Sequence, residues 1–311
     1  MKVLFVSSGN NKLGISPIVN KQGESLMKQG VELNFFTIKG KGLFGYLKNI
    51  PKLRKAIKKY QPDLIHAHYS LCGYMVALSL SGRKIIVSLM GSDVLARGIS
   101  RFIIHLFYKI SWSKCIVKTK GMKKQVGLKN ILVLPNGVDM QMFKHMPQNE
   151  AIKRLNWNPS NKHILFAANP SRPEKNFPLA EKALEHIKEK FKNVELHVLK
   201  DVSHEQIPLL MNASDCILLT SLWEGSPNVV KEAMACSRPI VSTKVGDVEE
   251  LLKDTPLTFS VPYNADKIAE SIFEIFSSGN KMTIGREKIA HLSEEKVAEK
   301  LIQEYKKIIH N

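Results

Sequence analysis

Short apolar runs alternate along the chain with longer stretches whose apolar positions recur at helical spacing. In the first half, the runs 2–7, 31–38, 63–67, 84–89, 114–119 and 130–134 predict strands. Helical stretches lie between them near 16–29, 46–59, 71–81, 99–112 and 120–127. The pattern pauses over 140–160, a polar stretch with Pro147 and Pro159 that reads as a linker region. It resumes with strands at 163–168, 194–199, 215–220 and 239–243, and helices at 177–191, 205–213, 227–236 and 265–277. Such alternation implies βαβ units, that is, parallel sheets with helices on both faces. The expected fold class is α/β, with two doubly wound parallel-sheet domains facing a cleft. A last helix over 293–309 can pack on either domain.

Composition agrees with a globular chain of two domains: 311 residues, 44% hydrophobic and 24% charged. Cys72, Cys115, Cys216 and Cys236 have no paired or C-x-x-C spacing, so reduced and buried thiols are expected. The apolar run at Met1–Val6 is too short for a signal peptide, and no run of about 18 apolar residues is present to span a membrane. A cytoplasmic protein is expected. Charge changes the picture more. Residues 1–150 hold 24 Lys+Arg against 6 Asp+Glu, whereas residues 151–311 hold 22 against 22. One basic half suggests an anionic partner: a membrane surface, a nucleic acid or a polyanionic substrate.

Two stretches concentrate that charge. Residues 39–59 carry eight cations and no acid, interleaved with Leu43, Phe44, Tyr46, Leu47, Ile50, Leu53 and Ile57. Residues 97–129 add Phe102, Leu106, Phe107 and Trp112 among further cations. Such patterns suit an interfacial helix on anionic lipid. A solvated helix face with its apolar side in the core is the plainer reading. No nucleic-acid-binding module is present, so nucleic acid is not an expected partner.

The stretch Leu218–Val241 is the most informative for chemistry. An apolar run ends at Thr220-Ser221, a polar loop follows, and Ser226-Pro227 opens a helix that stops at Arg238-Pro239. A helix N-terminus at the carboxyl end of a strand favours anions. Glu224 in the loop and Glu232, eight residues on, can both face a ligand lying over that terminus. Carboxylates accept well from sugar and ribose hydroxyls; two unrelated surface glutamates are the alternative. A second strand-to-helix loop, Asn169–Asn176, carries Arg172 and Lys175, cations suited to a diphosphate. In the first half, His66-Ala67-His68-Tyr69 and Met90-Gly91-Ser92-Asp93 follow strands. Histidines at i and i+2 share a strand face, but no third metal ligand is evident. The Gly9–Pro17 loop, with Gly14 and Ser16, allows close backbone approach.

The segment EGSPNVVKEAMA resembles the E-x7-E element of retaining GT-B glycosyltransferases, specifically glycosyltransferase family 4 (group 1). D-L-I-H-A-H-Y, M-G-S-D-V and P-N-G-V-D match that family's pattern in the same order. The resemblance implies a GT-B fold of two Rossmann-like domains. Residues 1–148 would bind acceptor and 149–292 the donor, with 293–311 a C-terminal helix that can return to the first domain. It implies that Glu224 contacts the donor sugar and Glu232 the ribose. Gly225, Ser226, Pro227 and Asn228 would lie under sugar and diphosphate, with Arg172 and Lys175 on the diphosphate. Gly14, Ser16, His68, Met90 and Ser92 would fall on the acceptor side. Asp93, near Met90, is with Glu224 a catalytic candidate, an ordinary helix cap being the plainer reading of an Asp after a strand. Two departures stand out. Arg172 and Lys175 are three residues apart instead of about five, and Met90 occupies the place of the family's usual histidine.

The expected function is therefore transfer of a sugar from a UDP- or GDP-sugar to a hydroxyl acceptor, with retention. The acceptor would be a glycan or lipid-linked glycan in cell-envelope polysaccharide synthesis, met by a protein peripheral on the inner face of the membrane. Neither cofactor nor metal is expected, because cations and helix amides neutralise a leaving diphosphate. A GT-B enzyme with a soluble acceptor and a non-catalytic nucleotide-sugar-binding protein are the alternatives.

Overall fold

The computed structural model of the chain describes residues 1–10, 14–95, 99–279 and 282–310. It divides into two compact units, Met1–Gly137 with Glu294–Asn311, and Val138–Ser293. The first unit runs β1 (Lys2–Ser8), α1 (Pro17–Lys28), β2 (Glu32–Ile38), α2 (Gly42–Leu47), α3 (Ile50–Tyr60), β3 (Leu64–His68) and α4 (Ser70–Leu78). It continues with β4 (Lys84–Ser88), α5 (Ser92–Leu95), α6 (Ile99–Ile110), β5 (Lys114–Val117), α7 (Lys120–Val126) and β6 (Leu132–Val133). The six strands form one parallel sheet in the order β2-β1-β3-β4-β5-β6.

Strand β1 shows why this sheet reads as apolar runs without alternation. Leu4 and Val6 enter the core on one face, Val3 and Phe5 the core on the other. With both faces covered, both sets of alternating positions must be apolar. Helix α3 has one wet face instead. It buries Leu53 and Ile57, one helical turn apart, and exposes Lys52, Arg54, Lys55, Lys58 and Lys59. The single helix expected over 46–59 is two helices. The Asn49 side-chain amide donates to the carbonyls of Gly45 at 2.8 Å and Lys39 at 2.9 Å, closing the end of α2. Pro51, which has no N–H to lose, then sits in the first turn of α3.

The second unit runs α8 (Gln148–Leu155), β7 (Lys162–Phe166), α9 (Phe177–Lys190), β8 (Val194–Val198), α10 (Ile207–Ala213) and β9 (Cys216–Leu219). Then come α11 (Asn228–Ala235), β10 (Ile240–Thr243), α12 (Val248–Leu252), β11 (Thr258–Val261), α13 (Ala265–Ser277) and α14 (Gly285–Lys288). Its parallel sheet has the order β11-β10-β9-β7-β8. Two elements differ from expectation. The stretch read as a linker contains α8, whose Ala151 and Ile152 pack against Ala213 of α10. Pro147 stands just before that helix and does not interrupt it. Strand β11 escapes the apolar pattern because its Thr258 and Ser260 are polar, yet it pairs with β10 over four positions.

The last helix, α15 (Glu294–His310), belongs to the first unit. Its Val297, Ala298, Leu301 and Tyr305 join Val3, Phe5, Val19 and Leu26 in one core. The Ser25 hydroxyl donates to the Glu294 carbonyl at 3.0 Å, and the Gln29 amide to that of Glu295 at 2.8 Å.

Candidate functional site

Open α/β sheets take ligands beyond the carboxyl ends of their strands, where the strand order reverses. In the second unit that point lies between β7 and β9, since the chain goes outward from β7 to β8 and then crosses back to β9. The loops leaving these two strands are tied together. The Thr220 hydroxyl, fully buried just after β9, lies 2.9 Å from the carbonyls of both Lys175 and Asn176. The Leu222 amide donates to the Glu174 carbonyl at 2.9 Å. The loop after β10 closes the third side. Thr243 donates its hydroxyl to the Ser221 carbonyl at 2.7 Å. Gly246 adopts φ +57°, and a β-carbon there would lie 2.2 Å from the Gly225 carbonyl oxygen, so the backbones meet only through glycine.

This scaffold brings Lys175 and Glu224 into contact. The Lys175 ammonium donates to Glu224 Oε1 at 2.5 Å, and the Ser221 hydroxyl donates to the same oxygen at 2.8 Å. Their side chains are only 12% and 16% exposed, so the pair is shielded and its geometry fixed. Arg172 is not brought to them. It is exposed and holds Glu174, with its Nε at 2.8 Å from Oε1. A bond from its own backbone amide, and next the Arg172 pairing, lower the Glu174 carboxyl from its ordinary value. The two loop cations thus differ in a way their spacing does not reveal.

Helix α11 begins one residue later than expected. Pro227 takes the N-cap position and Asn228 is the first helical residue. No side chain caps the helix. The Asn228 Oδ1 is buried without a hydrogen-bond partner. The Ser226 hydroxyl is also buried; it lies close enough to Asp247 to favour that carboxylate's charge, outside good hydrogen-bond geometry. Gly225 and Ser226 are half-buried between these groups. Glu232 is half-buried one turn before the end of α11, and next to it Lys231 is fully buried. Burial pushes the Lys231 ammonium down to about 8, against the attraction of Asp247 and Glu232. Burial raises the Asp247 carboxyl. Ser221, Lys231, Thr243, Gly246 and Asp247 were not singled out from the sequence. Of these, only the glycine and acid just after a strand carried a readable signal.

In the first unit the candidates sit at the ends of β1, β3 and β4. Asp93 is fully committed to backbone. Its Oδ1 accepts from the amides of Met90 at 2.9 Å and Gly91 at 3.0 Å, and its Oδ2 from that of Ser70 at 3.0 Å. Burial raises this carboxyl, and those three amides pull it back. Through these bonds Asp93 fixes two strand-end turns. Tyr69, between them, holds φ +86°, a strained value for a residue with a side chain. Met90 is half-buried. The side chain of Ser92 lies outside the described residues, as do residues 11–13 of the first loop. Gly14 adopts φ +78°, and Ser16 is the N-cap of α1.

The histidines of β3 are core residues. His66 Nε2 lies 2.8 Å from the Ser88 hydroxyl, and its Nδ1 2.5 Å from the Tyr305 hydroxyl on α15. His68 stacks on His66 with 4.3 Å between ring centres. Burial, with Lys118 nearby, pushes His68 down to about 3. Both rings are therefore neutral near pH 7.

The chain matches two family profiles. Residues 150–307 fit Glycosyl transferases group 1, and residues 12–117 fit Glycosyl transferase 4-like. It is 28% identical over 236 residues to TuaC of Bacillus subtilis, named for teichuronic acid biosynthesis, covering 68% of this chain and 60% of that protein. It is 23% identical over 250 residues to the UDP-Gal:alpha-D-GlcNAc-diphosphoundecaprenol alpha-1,3-galactosyltransferase of Escherichia coli, covering 67% of this chain and 64% of that one. The matches therefore span less than two thirds of these relatives' own length. Anabaena HepE in complex with UDP superposes with a TM-score of 0.79 at 17% identity, over 99% of this chain and 100% of that one. With the two parallel sheets, this likeness identifies the fold as GT-B. Since the first profile spans half of the chain, the protein belongs to the glycosyl transferases group 1 family.

Proposed function

We propose that the protein is a glycosyltransferase that moves a sugar from a nucleotide-sugar, with UDP as the favoured nucleotide, to a hydroxyl acceptor. The observation that carries this reading is the Lys175–Glu224 pair beside the uncapped N-terminus of α11, at the reversal of strand order. An anionic diphosphate at that terminus would meet the helix amides and the Lys175 charge, and the buried Asn228 oxygen would accept from a sugar or ribose hydroxyl. Glu224 accepts from the sugar and Glu232 from the ribose. Charge developing on the leaving diphosphate is met by Lys175 and the α11 amides, placed before the reaction starts. No side chain is assigned as general base. The donor phosphate takes the acceptor proton on the face from which the diphosphate departs, which gives retention. UDP is favoured because relatives in sequence and structure are named for UDP-galactose, UDP and UDP-glucose.

The acceptor is proposed to be a lipid-linked glycan of the cell envelope, reached at an anionic membrane surface. Support comes from the names of two relatives and from α6. This helix exposes Ile99, Phe102, Leu106 and Ile110 along one stripe, at 79%, 68%, 43% and 65%, beside Arg101 and Lys109. Phe44 of α2 is 80% exposed next to Lys41. Exposed apolar side chains ringed by cations suit a lipid interface. Among the described residues no helix is long and apolar enough to cross a membrane.

Calorimetric titration with UDP, GDP and their sugars tests the donor. UDP or a UDP-sugar binds, and Glu224→Gln lowers kcat/KM by about 100-fold or more while UDP itself still binds. Equal turnover in wild type and Glu224→Gln overturns the site. Saturable UDP-sugar binding with no transfer to any hydroxyl acceptor favours the non-catalytic reading, to which Met90 contributes by offering no group that moves a proton.

A further inference from the structure

On the neighbouring strands β7 and β8, three ligating side chains come together. Strand pairing sets His163 of β7 beside Glu195 of β8, and two residues on, His197 shares the face of Glu195. His163 Nδ1 stands 3.1 Å from His197 Nε2 and 3.7 Å from Glu195 Oε2, and His197 Nε2 is 3.5 Å from that same oxygen. We propose that His163, Glu195 and His197 form a binding site for a zinc-type transition-metal ion.

The distances have the right scale. Ligands at about 2.0–2.1 Å from a tetrahedral zinc stand roughly 3.3 Å from one another, and the three separations bracket that value. The outer groups already aim the donors. His163 Nε2 donates to the Asn158 carbonyl at 2.9 Å, which leaves the lone pair on Nδ1, facing the other two ligands. The Asn161 amide donates to Glu195 Oε1 at 2.5 Å and turns Oε2 inward. Trp157 stacks flat on His197, with 3.5 Å between ring centres and 5° between planes, fixing the imidazole. Such backbone and amide partners orient ligands in known metal centres. In the metal-free protein a proton on His197 Nε2 fills the space toward His163. On binding, the ion takes its place and the proton moves to Nδ1 of the same ring.

Two imidazoles and one carboxylate select zinc, cobalt, nickel or copper over magnesium and calcium, which prefer all-oxygen sets. Glu195 is 40% exposed, which gives an ion and a fourth, water ligand a way in. The ligands come from β7 and β8, and the outer groups from the α8–β7 connection. A bound ion would therefore clasp β7, β8 and the α8–β7 connection together.

The test uses the full chain without an affinity tag, stripped with chelator. Cobalt(II) titration should give one equivalent with the intense visible bands of four- or five-coordination. Zinc should displace it and raise the melting temperature, reversibly with chelator. Glu195→Gln and His197→Gln should each weaken cobalt binding at least tenfold, and Asn161→Ala by about 10–100-fold with all ligands intact. His310→Gln, an exposed histidine on α15, should change nothing. If His197→Gln fails to fold, Glu195→Gln at the exposed position carries the same comparison. A cobalt spectrum that stays that of the hydrated ion, or equal affinity in wild type and Glu195→Gln, overturns the site.

Discussion

Asp93 illustrates how one residue's neighbours decide its role. A buried carboxylate taking three backbone amides holds two turns in place. In Asp93→Asn, at least one of those amides faces an NH2 group instead of an acceptor. The expected cost is about 1–3 kcal/mol for buried groups left unsatisfied, read as a lower denaturation midpoint. A reacting-centre role would instead remove turnover and leave the midpoint unchanged. Sequence reading named Asp93, Arg172, Lys175 and Glu224 because charged residues after strands are easy to see. What each one holds was not legible. Lys175 and Glu224 lie 49 residues apart and meet only through the sheet, whereas Arg172 turns to Glu174 two residues away. His66 and His68 share a strand face but offer no third metal ligand, and they form a core stack. The proposed metal ligands Glu195 and His197 have the same spacing and are completed by His163 from the neighbouring strand, which sequence does not show.

At the scale of elements, periodicity located the helix that ends the chain but not its berth. Hydrogen-bond partners of α15 include Ser25, Gln29 and His66, more than two hundred residues away, and no local signal points to them. The Tyr305 hydroxyl is the polar anchor of that docking, fully buried against His66 Nδ1. Burial raises the phenol, so it stays protonated. Tyr305→Phe keeps the ring in its apolar surroundings and removes only the hydroxyl, leaving the His66 nitrogen without that partner. The expected loss is about 1–3 kcal/mol, seen as an earlier urea transition of the first unit. An unchanged transition would mean that apolar contacts alone seat the helix. The elements missed from sequence have a common cause. Helix α8 and strand β11 are short and half polar, and their packing on α10 and pairing with β10 override weak local preferences.

Over the whole molecule, charge follows the division into units more sharply than it follows the halves of the sequence. The unit containing α15 carries 27 Lys+Arg against 8 Asp+Glu, and the other 19 against 20. The unit with the exposed apolar stripe of α6 thus carries +19 and the other −1, so all of the protein's net charge of +18 belongs to the first. Two forces then act at a lipid surface, and salt separates them. Each cation near an anionic leaflet is worth about 1 kcal/mol and is screened over a distance that shrinks from about 8 Å at 0.15 M salt to about 3 Å at 1 M. Burial of the stripe does not depend on such screening. Flotation should therefore show binding to vesicles with anionic lipid and little to neutral ones, weakening between 0.15 M and 1 M salt. Reversing Lys52, Lys55 and Lys59 to Glu on the wet face of α3 should reduce the salt-sensitive part. Phe102→Ser with Leu106→Ser should reduce what remains at high salt. Because all five positions are exposed, neither set should move the thermal midpoint far. Equal binding to neutral and anionic vesicles, or none to either, would remove the membrane from the proposed function and leave a donor site serving a soluble acceptor.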